Sequence, residues 1–231
     1  MIYFWSSIVH PILRYMKPST IIEVGCAQGL NTLNLLSYAQ SHDSKLIAID
    51  PAPQFDVTLV KQVYGQSFDL KEGYSLQVLP EIETADVVFL DGDHNWYTVY
   101  HELKLLEKLE RFPLVFLHDT EWPYARRDMY YFPESIPPSY RHPHARKGIL
   151  PDINELVDGG HNESVWNAAY ENGPRNGVLT AVEDFLAETK LTLRLHRAHS
   201  QHGLSIIMPN ETVQEREHND KVQQIVAASG L

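Results

Sequence analysis

Four short apolar runs limit the possible folds of this chain more than any other feature. They are TIIEV (20–24), KLIAID (45–50), ADVVFLD (85–91) and PLVFLHD (113–119). Each is rich in Val, Ile, Leu or Phe and hardly alternates with polar residues. A strand covered on one face alternates, whereas a strand covered on both faces does not. These runs therefore read as parallel strands buried between two layers. Helix-like stretches separate them. In 29–40, Leu30, Leu33, Leu36 and Tyr38 recur near helical spacing, and in 96–110, Val99, Leu103, Leu106 and Leu109 do the same. Strand alternating with helix predicts an α/β protein with a doubly wound, mostly parallel sheet. Further on, 177–188 reads as a helix. The runs 191–198 and 203–209 read as two strands meeting near HSQHG, an antiparallel closing hairpin.

With 231 residues and 43% hydrophobic content, the chain can bury the core of one domain spanning 1–231. Thirty acidic against 19 basic residues give a net charge of −11, which disfavours nucleic acid as a partner because phosphate binding needs a basic face. One basic cluster does occur, with Arg126, Arg127, Arg141, Arg146 and Lys147. The single cysteine, Cys26, allows no intramolecular disulfide and points to a reducing, cytoplasmic home. Residues 1–17 are apolar but short and interrupted by His10-Pro11, so no membrane span is expected there. They read as an amphipathic N-terminal helix packed on the domain, and as a reasonable interface if the chain is a homo-oligomer. The tail from Glu211 reads as a polar, peripheral helix. Residues 121–176 hold seven prolines and many Tyr and His, too long for an ordinary connection, and read as a lid-like insertion.

The ends of the apolar runs carry the chemistry. IIEVGCAQGLNT reads as strand, glycine turn, helix. Gly25 lets the chain turn, and Gly29 opens a helix whose N-terminal N–H groups face outward. The spacing is not G-x-G-x-x-G, which argues against a nicotinamide oxidoreductase. Glu23 lies inside an apolar strand, where an unpaired carboxylate is costly. Asp50 ends the next strand, where an acid can accept both hydroxyls of a ribose. FLDGDHNWY (89–97) and HDT (118–120) then place Asp and His at two further strand ends. In a doubly wound sheet ligands bind beyond the carboxyl ends of the strands, so neighbouring strands here would bring Asp91, His118 and Asp119 together. Blander roles stay open: Asp93 as a helix cap, Asp91-Gly92 as a plain turn, His118 as a core histidine.

EVGCAQGLNT with AIDP, and GYSLQVLPEI followed by ADVVFLDGDHNWYTVYHELKLL and LVFLHDT, resemble class I S-adenosylmethionine (SAM)-dependent methyltransferases. The likeness is to the methyltransferase 24 group, which is similar to macrocin-type and catechol-type metal-dependent O-methyltransferases. It covers roughly 18–120 and 177–209. It implies a Rossmann-like, seven-stranded sheet with an antiparallel closing strand. It implies SAM held by Glu23, Gly25, Ala27, Gly29, Asp50, Gly73, Ser75 and Asp91. It also implies a divalent cation such as Mg²⁺ on Asp91, His118 and Asp119, with Asp91 and His94 catalytic and His94 as the base. The acceptor would be a hydroxyl of a sugar, glycan or natural product. Where the family usually has two acidic or amide residues, this chain has His118-Asp119. A nucleotide-binding Rossmann-like enzyme of another class, such as a nicotinamide oxidoreductase, and a non-catalytic SAM-binding module are the other readings.

Overall fold

The computed structural model describes all 231 residues. Its contacts divide the chain into two compact units. The first comprises Met1–Gly92, Leu105–His118 and Leu191–Leu231; the second comprises Asp93–Lys104 and Asp119–Lys190. No helix is long and apolar enough to cross a membrane.

The first unit is built on strands β1 (Thr20–Val24), β2 (Lys45–Asp50), β3 (Phe68–Glu72), β4 (Val87–Leu90) and β5 (Leu114–His118). Three short strands of the second unit intervene in the chain: β6 (Met129–Tyr130), β7 (His144–Ala145) and β8 (Trp166–Ala168). Then β9 (Leu193–Ala198) and β10 (Leu204–Pro209) complete a seven-stranded sheet of order β3-β2-β1-β4-β5-β10-β9. All pairings are parallel except β10 with β5 and with β9. The expected doubly wound sheet with an antiparallel closing strand is therefore present. Each of the four apolar runs forms a strand, and every residue of β4 is buried, as absent alternation demands.

The helices are α1 (His10–Met16), α2 (Leu30–His42), α3 (Val57–Tyr64), α4 (Ser75–Val78), α5 (Trp96–Leu106), α6 (Val178–Glu188) and α7 (Val213–Ser229). Three details differ from the sequence reading. In α2, Leu30 and Leu33 are exposed, and the buried face is Thr32, Leu35, Leu36, Tyr38 and Ala39. Apolar residues surround this helix, so spacing alone could not select the packed side. The N-terminal segment is continuous through Pro11, which takes a first-turn position of α1 where its missing N–H is harmless. Its Phe4, Ile8, Val9, Ile12 and Leu13 are fully buried in the first unit's core, so this apolar face is already covered by its own chain. α7 is not peripheral either. A Thr212–Glu215 capping box starts it, and Asn219, Val222 and Val226 are buried. Buried His196 meets Asn219 Oδ1 (2.8 Å) and Gln223 Oε1 (2.9 Å), which ties β9 to this helix.

The second unit holds the N-terminal part of α5, the helix α6 and a three-stranded antiparallel sheet of order β6-β8-β7. The stretch 121–176 thus carries regular structure of its own. Buried Arg127 spans it, donating to the carbonyls of Ala168 (2.6 Å) and Asn154 (2.7 Å). Asp128 is completely buried and caps two helices at once. Its Oδ1 accepts the N–H of Trp96, first residue of α5, and of Gly177, which precedes α6, both at 2.7 Å.

Candidate active site

In the first unit the chain leaves β1 through Gly25, whose φ is +86°. A Cβ there would lie 2.3 Å from the carbonyl oxygen of Asp91 and 2.6 Å from Cα of Gly92. The backbone after β1 thus presses against the backbone after β4, and only glycine fits both the space and the dihedral. Asp50, last residue of β2, then staples the loop. Its Oδ2 accepts the N–H groups of Cys26 (2.7 Å) and Ala27 (3.1 Å), and its Oδ1 accepts that of Ala52 (2.7 Å). Gly29 N–H closes the turn on the carbonyl of Cys26 (2.7 Å). No side chain caps the N-terminus of α2.

Glu23 lies beneath this loop and is 1% exposed. Burial pushes its carboxyl up to about 7, with the Thr32 hydroxyl and the Asn31 amide (2.8 Å) only partly offsetting the loss of water. Burial likewise raises the Cys26 thiol above the usual thiol range. Gly73 follows β3 and donates its N–H to the carbonyl of Asp50 (3.2 Å), and the next turn begins at buried Ser75. Asp91, just past β4, bonds through its N–H to the carbonyl of Val24 (3.0 Å). Its carboxylate meets Nδ1 of His118 at 3.2 Å and the amino group of Met1 at 3.3 Å. The His118 ring is flanked by Phe4 (6.0 Å between centroids) and His202 (6.4 Å). The first unit therefore gathers Glu23, Gly25, Ala27, Gly29, Asp50, Gly73, Ser75, Asp91 and His118 at the carboxyl ends of neighbouring strands.

The second unit holds the remaining two predicted residues, and it pairs them. His94 Nδ1 lies 2.8 Å from Asp119 Oδ2. Asp119 is 5% exposed and has φ +58°, a left-handed conformation that carries strain in a non-glycine residue. The rings of Tyr124 and Tyr131 stand edge-on to His94, at 5.6 and 6.2 Å. Asp93 is half-buried, and loss of water raises its carboxyl above the usual range. It receives the Asn95 amide (2.5 Å) and the Thr98 hydroxyl (3.2 Å). Asn95 itself caps α5, accepting the N–H of Thr98 at 2.9 Å. Tyr124, Tyr131, Asp128 and Phe4 were not singled out from sequence. None stands in a motif, and each acts through a partner distant in the chain.

Taken together, the sheet order and the glycine turn at the carboxyl end of β1 define the class I, Rossmann-like methyltransferase fold. Residues 22–120 match the family model described as a methyltransferase domain. Among solved structures it is similar to the S-adenosylhomocysteine (SAH)-bound methyltransferase PaMTH1 of Podospora anserina. The identity there is 15%, with 87% of this chain and 77% of that one covered and a TM-score of 0.52. It is also similar to the O-methyltransferase TomG of Streptomyces achromogenes, solved with SAM, at 14% identity, 88% and 78% coverage and a TM-score of 0.50. None of the curated proteins matches it significantly.

Proposed function

We propose that this chain is a SAM-dependent O-methyltransferase acting on a hydroxyl of a sugar, glycan or natural-product acceptor. The observation that carries the cofactor assignment is the glycine turn stapled by Asp50 at the uncapped N-terminus of α2. Together with Glu23, Gly29, Gly73 and Ser75, these groups would hold the amino-acid and ribose portions of SAM. SAM and SAH are the ligands in the two similar structures. When bound, SAM supplies a methyl carbon whose bond to sulfur breaks with the electron pair staying on sulfur. His94 supports an oxygen acceptor, since an imidazole can take the hydroxyl proton near neutral pH.

The resemblance also implies a divalent cation. Within the first unit, Asp91 and His118 offer a carboxylate and an imidazole nitrogen 3.2 Å apart, donors suited to a divalent cation such as Mg²⁺ or Mn²⁺. These residues would hold it, and its charge would lower the pKa of an acceptor hydroxyl.

Calorimetric titration of SAM, SAH and NADH, each with and without Mg²⁺ or Mn²⁺, tests the proposal. Binding of SAM and SAH but not NADH is the expected result. Binding of NADH alone, or of none of the three, would overturn it. A binding enthalpy or affinity that changes with metal would support the cation.

A further inference from the structure

We propose that the first unit carries a second ligand site, at the amino ends of its parallel strands, which takes a small organic anion: a carboxylate on a body of about one ring. A cavity of about 250 Å³ opens there. Its walls come from the residues that lead into β1, β4 and β5, from the end of β10 and from the first turns of α7. All of these belong to the first unit. The predicted cofactor residues follow the carboxyl ends of the same sheet. β1 is five residues long, so roughly 16 Å separate its two ends. The cavity is therefore distinct from that site, and methyl transfer leaves it without a role.

The lining divides by burial and charge. Val87, Phe112, Leu114 and Met208 are buried and give the cavity an apolar floor. Lys17 and Arg111 are exposed at its edge. The two carboxylates of the lining are already engaged. Asp86 Oδ2 accepts the N–H groups of Ser19 (2.8 Å) and Thr20 (2.9 Å). Glu215 Oε2 accepts those of Glu211 and Thr212, both at 2.9 Å, in the capping box of α7. These N–H groups, chiefly that of Thr212, hold the Glu215 carboxyl below the usual carboxylate range, and the charge of Arg111 adds to them. The cations are not engaged in the same way. Lys45, Lys71, Lys147 and Arg194 each meet an aspartate within 3.5 Å, whereas Lys17 and Arg111 form no salt bridge.

Two cations without a partner carboxylate, above an apolar floor, select an anion with a hydrophobic body. Inorganic phosphate would leave the floor uncovered, and a neutral ring would leave the charges unused. The planar guanidinium of Arg111 suits a carboxylate, which it can meet with two parallel N–H groups, and Lys17 supplies a point charge. Gln214 and His218 of α7 line the same cavity and offer further hydrogen-bond donors. Size sets the body of the ligand. An apolar cavity of about 150 Å³ takes benzene, so this one has room for a single ring and its carboxylate. Over most of a chain of net charge −11 a small anion meets repulsion, and these two cations relieve it locally.

Proton–nitrogen amide NMR of the ¹⁵N-labelled full-length protein, titrated with benzoate, tests this. Benzamide serves as the neutral isostere and inorganic phosphate as the bare anion. Benzoate should give saturable shifts at the amides of Ser19, Arg111 and Gln214. Benzamide and phosphate should each bind about threefold or more weakly. Lys17→Gln and Arg111→Gln change exposed side chains and leave the core intact, and each should weaken benzoate by about threefold or more. Ala85→Leu places bulk in the cavity without altering a charge and should weaken it as well. If that variant folds poorly, the two Gln variants decide. Phosphate binding as tightly as benzoate would reduce the site to an adventitious ion only and overturn the proposal. So would benzoate shifts that do not saturate, that are unchanged in both Gln variants, or that fall at Gly25, Asp50 and Asp91 instead. No SAM enters the titration, so its failure leaves the methyltransferase proposal standing, and failure of that proposal leaves this site intact.

Discussion

Asp50 Oδ2 accepts the backbone N–H of Cys26 at 2.7 Å and that of Ala27 at 3.1 Å, so the carboxylate that ends β2 shapes the loop that follows β1. An acid at this position was expected to meet a ribose; in the structure its carboxylate accepts three backbone N–H groups. Asp50→Ala should therefore do two things. It strands two loop N–H groups and that of Ala52, which lowers stability by about 2–4 kcal/mol in urea unfolding. It also lowers SAM affinity by at least about tenfold, or ~1.4 kcal/mol, in calorimetry. Wild-type stability in Asp50→Ala would show that the staple is dispensable.

Gly25→Ala tests the close approach of the backbones after β1 and β4. The added methyl meets the Asp91 carbonyl at 2.3 Å, and the φ of +86° is costly for any residue with a Cβ. Overpacking and dihedral strain together should cost roughly 3 kcal/mol or more. Gly29→Ala meets only the Phe55 ring, at 2.9 Å, and a ring can move where backbone cannot. The urea midpoint should fall further for Gly25→Ala than for Gly29→Ala; the reverse order would contradict the crowding argument.

The central strands and their polar ends were legible in the sequence for a physical reason. A strand buried on both faces must be apolar throughout, and a ligand-facing strand end must be polar, so β1, β2, β4 and β5 each show a sharp change at the functional boundary. β3 showed no such run, because at the sheet edge only Phe68 and Leu70 of FDLKE are buried. The pairing of Asp119 with His94 was equally hidden. Spacing placed both at strand ends, and only the fold of the second unit says which atoms face each other. Asp128 left no signal at all, since its partners Trp96 and Gly177 lie 32 residues before and 49 after it.

Glu23 makes stability depend on pH in a definite direction. Its carboxyl is raised from 4.5 to about 7, chiefly by burial. The folded state therefore binds the proton more tightly than the unfolded one. This stabilisation is fully present below about pH 4.5 and is lost as pH rises through about 7. Glu23→Gln removes the cost of ionising a buried group. It should be more stable than wild type at pH 8, by up to about 3 kcal/mol, with the gap closing toward pH 4.5. Urea midpoints at pH 4.5, 6 and 8 measure this. A gap that widens as pH falls would reverse the assignment. Asp128, raised to about 6 by burial, adds a slope of the same sign in both proteins and so does not disturb the comparison.

The apolar N-terminal segment separates two uses of a hydrophobic face. Were it an interface between copies, truncating Phe4 would change association and leave the folded subunit's stability almost unaltered. Phe4, Ile8 and Ile12 are instead fully buried within the first unit's core, and the Phe4 ring stands edge-on to His118. Phe4→Ala should thus create a cavity and cost about 3–5 kcal/mol in urea unfolding. The loss should be independent of protein concentration, and sedimentation velocity should give the same oligomeric state for wild type and variant. Because His118 Nδ1 faces Asp91 at 3.2 Å, the same cavity loosens a predicted metal ligand. If a cation binds there, Phe4→Ala should weaken Mn²⁺ affinity in calorimetry although residue 4 offers it no donor. A stability loss that vanished at high protein concentration would instead place this face between copies.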